Sequence, residues 1–272
     1  MRCPRLIPWL LIAASLGVHA EEDAAQVQRE LIDAQIARIT TGPGETGRVF
    51  FLGFAGYGEE RVFAEEIKLA AQRVGEKYGS SMRTVLLLND RRDLATYPLA
   101  SVSSLRYSLK ALARVTNPEE DVLFLVLSSH GAKDATISVS NEGMTPQALG
   151  AATLAQLLAE SAFRWKVIVV SACFSGAFVE PLADDHTIVI TAASRYRTSF
   201  GCSDTRHLTY FGEAFFQDAL PVSAHLREAF ESARREIRVR EREEDVKASQ
   251  PQGYFGPLME EKLRDIEQAL GP

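Results

Sequence analysis

Lys166-Val167-Ile168-Val169-Val170-Ser171-Ala172-Cys173-Phe174-Ser175-Gly176 is an apolar, largely β-branched run that stops abruptly in small residues. Such a run reads as a strand buried on both faces that breaks off into a tight loop. Cys173 stands where the strand stops. In open α/β sheets ligands collect beyond the carboxyl ends of the strands, so a thiol at such an end is placed for chemistry rather than packing. The run Asp121-Val122-Leu123-Phe124-Leu125-Val126-Leu127 repeats the pattern and ends in Ser128-Ser129-His130-Gly131. Two neighbouring parallel strands built this way present a His and a Cys side by side.

Outward from this pair, strands alternate with helices. Strands are expected at Arg48–Phe54, Arg83–Leu88 and Thr187–Thr191, and helices over Glu59–Tyr78, Ser101–Val115 and Thr145–Glu160. Ala135–Ser140 reads as one arm of a small hairpin. Past Ser194 a polar loop reaches Arg206, with helices over Leu208–Leu220 and Ser223–Val246. Ser249–Pro257, rich in Gly, Pro and Gln, reads as a link to a last short helix. The alternation implies an α/β fold with a parallel sheet covered on both faces.

The N-terminus is a separate object. Arg2 and Arg5 precede an apolar segment, Leu6–Val18, and small residues at Val18-His19-Ala20 offer a cleavage site just before Glu21-Glu22-Asp23. This is the pattern of an export signal removed after Ala20, and it predicts a periplasmic or secreted protein with no membrane attachment after cleavage. Glu22–Ile39 then carries apolar residues at helical spacing. Removal of the signal leaves 28 Lys and Arg against 36 Asp and Glu, a net charge of −8. That acidity argues against nucleic acid or an anionic membrane as partner. Of the two remaining cysteines, Cys173 and Cys202, a structural disulfide is the bland use. His186, His207 and His225 are scattered without zinc-like spacing, so no metal or cofactor is expected.

A free thiol carries little thiolate at neutral pH and needs a basic partner to act as a nucleophile. His130 can serve as general base towards the thiol and general acid towards a leaving amine. Gly131 lets a backbone N–H approach substrate closely, and with the N–H of Cys173 it would form an oxyanion hole.

Ser128-Ser129-His130-Gly131 and Ser171-Ala172-Cys173-Phe174-Ser175-Gly176 resemble the His-Gly and Ala-Cys-x-Ser-Gly blocks of the legumain (asparaginyl endopeptidase) family of cysteine peptidases. The resemblance continues through Thr191-Ala192-Ala193-Ser194, Thr198–Cys202 and Thr209-Tyr210-Phe211-Gly212-Glu213. It implies a caspase-like α/β/α sandwich with a mainly parallel central sheet; with the signal (1–20) and the N-terminal helix and linker (21–47) read above, the chain divides further into the peptidase domain (48–248) and a C-terminal tail (249–272). It further implies His130 and Cys173 as the catalytic pair, Gly131 and Cys173 at the oxyanion hole, and Arg61, Ser171, Ser199 and Glu213 around a substrate pocket. Peptides or proteins would be the substrates.

Two departures from the family stand out. Ser171 occupies the place of a pocket Glu, and Glu59 falls near the third catalytic position, normally Asn. The pocket would then suit Asn or Asp, cleaved by hydrolysis or transferred to an amine from the same acyl-enzyme. A non-catalytic interaction module with an inert Cys173 is the rival.

Overall fold

In the computed structural model, which describes residues 10–40, 47–202 and 206–271, helix α1 (Leu10–Ile36) is followed by β1 (Val49–Ala55), α2 (Arg61–Tyr78), β2 (Thr84–Leu88), α3 (Val102–Val115) and β3 (Val122–Ser128). A small sheet of β4 (Gly131–Ala132), β5 (Thr136–Val139) and β6 (Gln147–Gly150) precedes α4 (Ala151–Glu160). Then come β7 (Trp165–Ser171), α5 (Val179–Leu182), β8 (Thr187–Thr191), α6 (Tyr210–Gly212), α7 (Leu226–Glu243), β9 (Gln252–Phe255) and α8 (Pro257–Leu270). Beyond α6 the coil widens into π-helical turns over Glu213–Ala219.

The central sheet has the order β2-β1-β3-β7-β8-β9, parallel except for β9, which runs against β8. Every residue of β1, β3 and β8 is buried. This is why the strands read as continuous apolar runs rather than alternating ones. Their side chains divide between two cores. Phe51, Phe124 and Val169 meet Phe63, Ile67, Phe230 and Met259 on the face covered by α2, α7 and α8. Phe50, Leu125 and Ile168 meet Ile32, Leu109 and Leu154 on the face covered by α1, α3 and α4. Burying each such side chain stabilises the fold by about 1.5–3 kcal/mol. This is the mainly parallel α/β/α layering expected.

Local signals set the helix ends: Gly79 closes α2 in the left-handed region at φ 66°, and Ser101 caps α3 by accepting from the N–H of Ser104.

Four expectations change. The helix predicted from Thr145 begins at Ala151, because Gln147–Gly150 pairs with β5 and buries Leu149 opposite Ile137. The hairpin becomes a three-stranded sheet. The link Ser249–Pro257 contains β9, which covers the edge that β8 would otherwise expose. Within the C-terminal residues 249–272, β9 joins the sheet, and Met259 and Leu263 of α8 are buried in the core. The N-terminal helix is longer than predicted, running through the expected cleavage point at Ala20. Its Gln35 amide both donates to the carbonyl of Leu86 and accepts its N–H, completing the outer edge of β2. Among the described residues no helix is long and apolar enough to cross a membrane.

Candidate active site

β3 and β7 are adjacent and parallel, with Ser128 opposite Ser171. His130 and Cys173 each follow two residues later, so an identical offset on neighbouring strands brings them to the same edge of the sheet. The N–H of Ser129 donates to the carbonyl of Ser171, holding the two strand ends together. Gly131 then packs on the Cys173 backbone so closely that a Cβ there would fall 1.9 Å from the Cys173 carbonyl oxygen. Only glycine fits.

Cys173 is half-buried, and its Sγ lies 3.6 Å from the carbonyl of Ser199, towards which the thiol donates. Burial pushes the thiol above its ordinary pKa, against the favourable backbone contacts. Phe174 follows in the left-handed region at φ 56° and donates its N–H to the carbonyl of Arg197. The buried hydroxyl of Ser175 accepts from the N–H of Ala193, fastening the loop to the end of β8. Cys202 is free as well, so the disulfide alternative is not realised. Its thiol is pushed up to about 12, first by burial and then by Cys173, Glu66 and Glu60.

His130 is seated edge-on between the rings of Tyr57 and Phe63, 4.7 and 5.0 Å away. Its Nε2 is 2.7 Å from a carboxylate oxygen, and the acid is Glu60 rather than the expected Glu59. Glu59 accepts from the Tyr57 hydroxyl at 3.2 Å instead. Glu60 is the residue before α2, with extended backbone at φ −115°, and this conformation turns its side chain towards the imidazole.

Of the expected pocket residues, Ser199 is at Cys173 through its carbonyl, and Ser171 is buried just behind the same strand end. Arg61 opens α2, exposed and without an ion pair among the described residues. Glu213 faces two arginines. Its carboxylate is taken by Arg240 at 2.7 Å and by Arg206, both of which also stack on Tyr210. Burial opposes ionisation of Glu213, but the two guanidiniums prevail and hold its pKa below the usual value.

A second acid, absent from the sequence-based list, lies behind the strand ends. Glu66 of α2 is fully buried and accepts from the hydroxyl of Thr209, which in turn lies 3.4 Å from the hydroxyl of Ser171. Ser171 and Ser128 face the carboxyl without closing a bond of ordinary geometry, and Glu66 Oε1 has no partner among the described residues. Gly212 leaves the room: a Cβ there would fall 2.2 Å from Glu66 Oε2. Glu66 thus ties α2, β7 and the segment before α6 to one point. The sequence carried a signal for it, since position 66 lies on the face with Val62, Phe63, Ile67 and Ala70, where a helix in this register buries its side chains.

Burial raises the pKa of Glu66, outweighing the hydroxyls that favour its ionised form. The sign follows from linkage. Below the unfolded value of about 4.3 both states hold the proton; above it the unfolded state ionises first, so stability falls as pH rises towards the folded pKa. Glu66→Gln removes this term. Its melting temperature relative to wild type is expected to climb as pH rises above about 4, and parallel curves for the two proteins would contradict a buried acid of raised pKa.

The sequence profile of the Peptidase C13 family matches residues 102–261, more than half of the chain, from the start of α3 into α8. His130, Cys173, Ser199 and Glu213 lie within the match, whereas Glu60, Arg61 and Glu66 precede it. No curated protein matches the chain.

Proposed function

The chain belongs to the Peptidase C13 family, whose members are cysteine peptidases, and from that premise we propose that it is an exported endopeptidase acting through His130 and Cys173. The observation that carries this is the shared register of β3 and β7, with Gly131 packed on the Cys173 backbone. Glu60 Oε2 lies 2.7 Å from Nε2 of His130 without closing a hydrogen bond of ordinary geometry, so the imidazole keeps a ring nitrogen with which to handle a proton. Glu60 acts as a positioning residue in place of the family's Asn.

The resting thiol is protonated, since burial raises its pKa. Its proton passes to His130 as Sγ bonds to the peptide carbonyl carbon, and the oxygen takes up negative charge. The N–H groups of Gly131 and Cys173 receive that charge, each such donor being worth about 3 kcal/mol. The C–N bond then breaks as His130 returns the proton to the leaving amine. Water, activated by the same imidazole, releases the acid from the acyl-enzyme.

Ser171 brings no charge to the pocket, and Glu213 is neutralised by arginines. Arg61 is left as the ion of the expected pocket without a pair among the described residues, which favours an acceptor: the side-chain oxygen of Asn or the carboxylate of Asp.

The test is a panel of peptides differing only at the scissile residue, assayed on exported protein whose N-terminus is expected at Glu21. Cleavage after Asn or Asp and not after Ala is the expected result. Cleavage of none, by protein with a reactive Cys173, would refute the endopeptidase reading. An added amine nucleophile in the same assay separates hydrolysis from acyl transfer by its product.

A further inference from the structure

The same edge of the sheet holds a recess of its own. A cavity of about 490 Å³ opens between α7 and the chain entering β9, with Arg234, Arg238, Gln250 and Gln252 among its lining residues. Arg234 and Arg238 are four apart on α7 and so project from one face. Topology sets its position relative to Cys173. Gln252 is opposite Thr191, the last residue of β8, and Thr191 is opposite Val170 at the end of β7. The cavity mouth is thus about two strand spacings, roughly 10 Å, from the nucleophile's strand. An extended peptide covers that in about three residues at roughly 3.3 Å each.

The two sites share a wall. A Cβ on Gly176, three residues beyond Cys173, would fall 2.4 Å from Gln252 Oε1, and the N–H of Ser194 donates to the carbonyl of Ser249 at 2.9 Å. A peptide lying over Cys173 and continuing across the end of β8 arrives at this recess.

Its charge is also distinctive. Arg234 retains Glu231 at 2.9 Å, but Arg238 is exposed and has no carboxylate partner among the described residues. Glu241, the acid in the lining, is 3% exposed and accepts from the N–H of Ser249, so its charge is turned inward. Around the mouth of the site Arg61, Lys133 and Arg197 also lack carboxylate partners among the described residues. The recess thus presents the charge of Arg238 with its acid Glu241 turned inward, on a chain of net charge −6, an arrangement that draws an acidic ligand to one spot on an acidic protein.

We propose that the cavity is a substrate subsite for an acidic side chain, Asp or Glu, about three residues from the scissile bond. Arg238 is its charge partner, with the amides of Gln250 and Gln252 as neutral donors. The inference rests on the reading of Cys173 as the nucleophile and adds to it a preference for acidic peptides.

The experiment scans Glu against Gln at the second to fourth positions on each side of the scissile residue. It compares kcat/KM for wild type, Arg238→Gln and Arg238→Glu. Wild type is expected to favour Glu about tenfold at one position, as a charge-assisted hydrogen bond predicts. The Glu-to-Gln ratio should fall to about one in Arg238→Gln and below one in Arg238→Glu. Equal ratios in all three proteins, with cleavage intact, would overturn the subsite. Should no peptide be cleaved, the endopeptidase reading fails separately. Calorimetric binding of the Glu and Gln peptides to the same proteins then decides the subsite: an Arg238-dependent difference upholds it, and equal binding refutes it.

Discussion

Cys173→Ala is expected to abolish peptide cleavage, a loss of at least about a thousandfold, with little change in melting temperature. The thiol sits on a half-buried loop and makes only weak backbone contacts among the described residues, such as its donation to the carbonyl of Ser199, so folding depends on it slightly. His130→Ala should lose about 10²- to 10⁴-fold. It should also cost some stability, because the ring contacts to Tyr57 and Phe63 vanish, each worth about 0.5–1.5 kcal/mol. Alkylation supplies an independent readout. Burial raises the thiol's pKa, so labelling of Cys173 by iodoacetamide should be slow at neutral pH and climb through the alkaline range. A peptidyl electrophile, which recruits His130, should label it much faster at neutral pH. If Cys173→Ala retained turnover, or if both reagents labelled wild type alike, the thiol would be structural and the interaction-module reading would regain its footing.

Gly131→Ala is the second large effect, and it distinguishes close packing from mere loop tolerance. The new Cβ would lie 1.9 Å from the Cys173 carbonyl oxygen, a backbone atom that cannot rotate away. Either the His130 loop or the Cys173 loop must move. The displacement separates the N–H groups that would receive the oxyanion, with an expected loss of about 10²- to 10³-fold in kcat. Overpacking of this kind also costs typically 1–3 kcal/mol of stability. Steady-state kinetics together with thermal melts check both. A variant with wild-type kcat would show that the Gly131 N–H plays no part in the reaction.

Much of the candidate site was legible because the fold writes it locally. A strand buried on both faces has to be apolar throughout, so the polar tails after Leu127 and Val170 stood out as strand ends. Glu60 was displaced by one residue in the reading because motif spacing cannot tell which of two adjacent acids a helix-entry backbone will aim at an imidazole. Glu213 was matched to the pocket acid with no partner named, because Arg240, which pairs with it, stands 27 residues away on another helix. β9 escaped because a four-residue strand with Gly and Gln has no hydrophobic pattern of its own; it is a strand only because β8 presents it with unpaired N–H and C=O groups.

By itself the sequence determined the layered α/β fold, the order of its strands along the chain, and the two strand ends carrying His130 and Cys173, since burial and turn chemistry act over a few neighbouring residues. Tertiary structure alone decided which acid meets His130, which acid lies buried behind Ser171, which carboxylate is consumed by arginines, and where a recess opens beside the site. These depend on distances between side chains far apart in the chain, and a charge has no partner until folding brings one within reach.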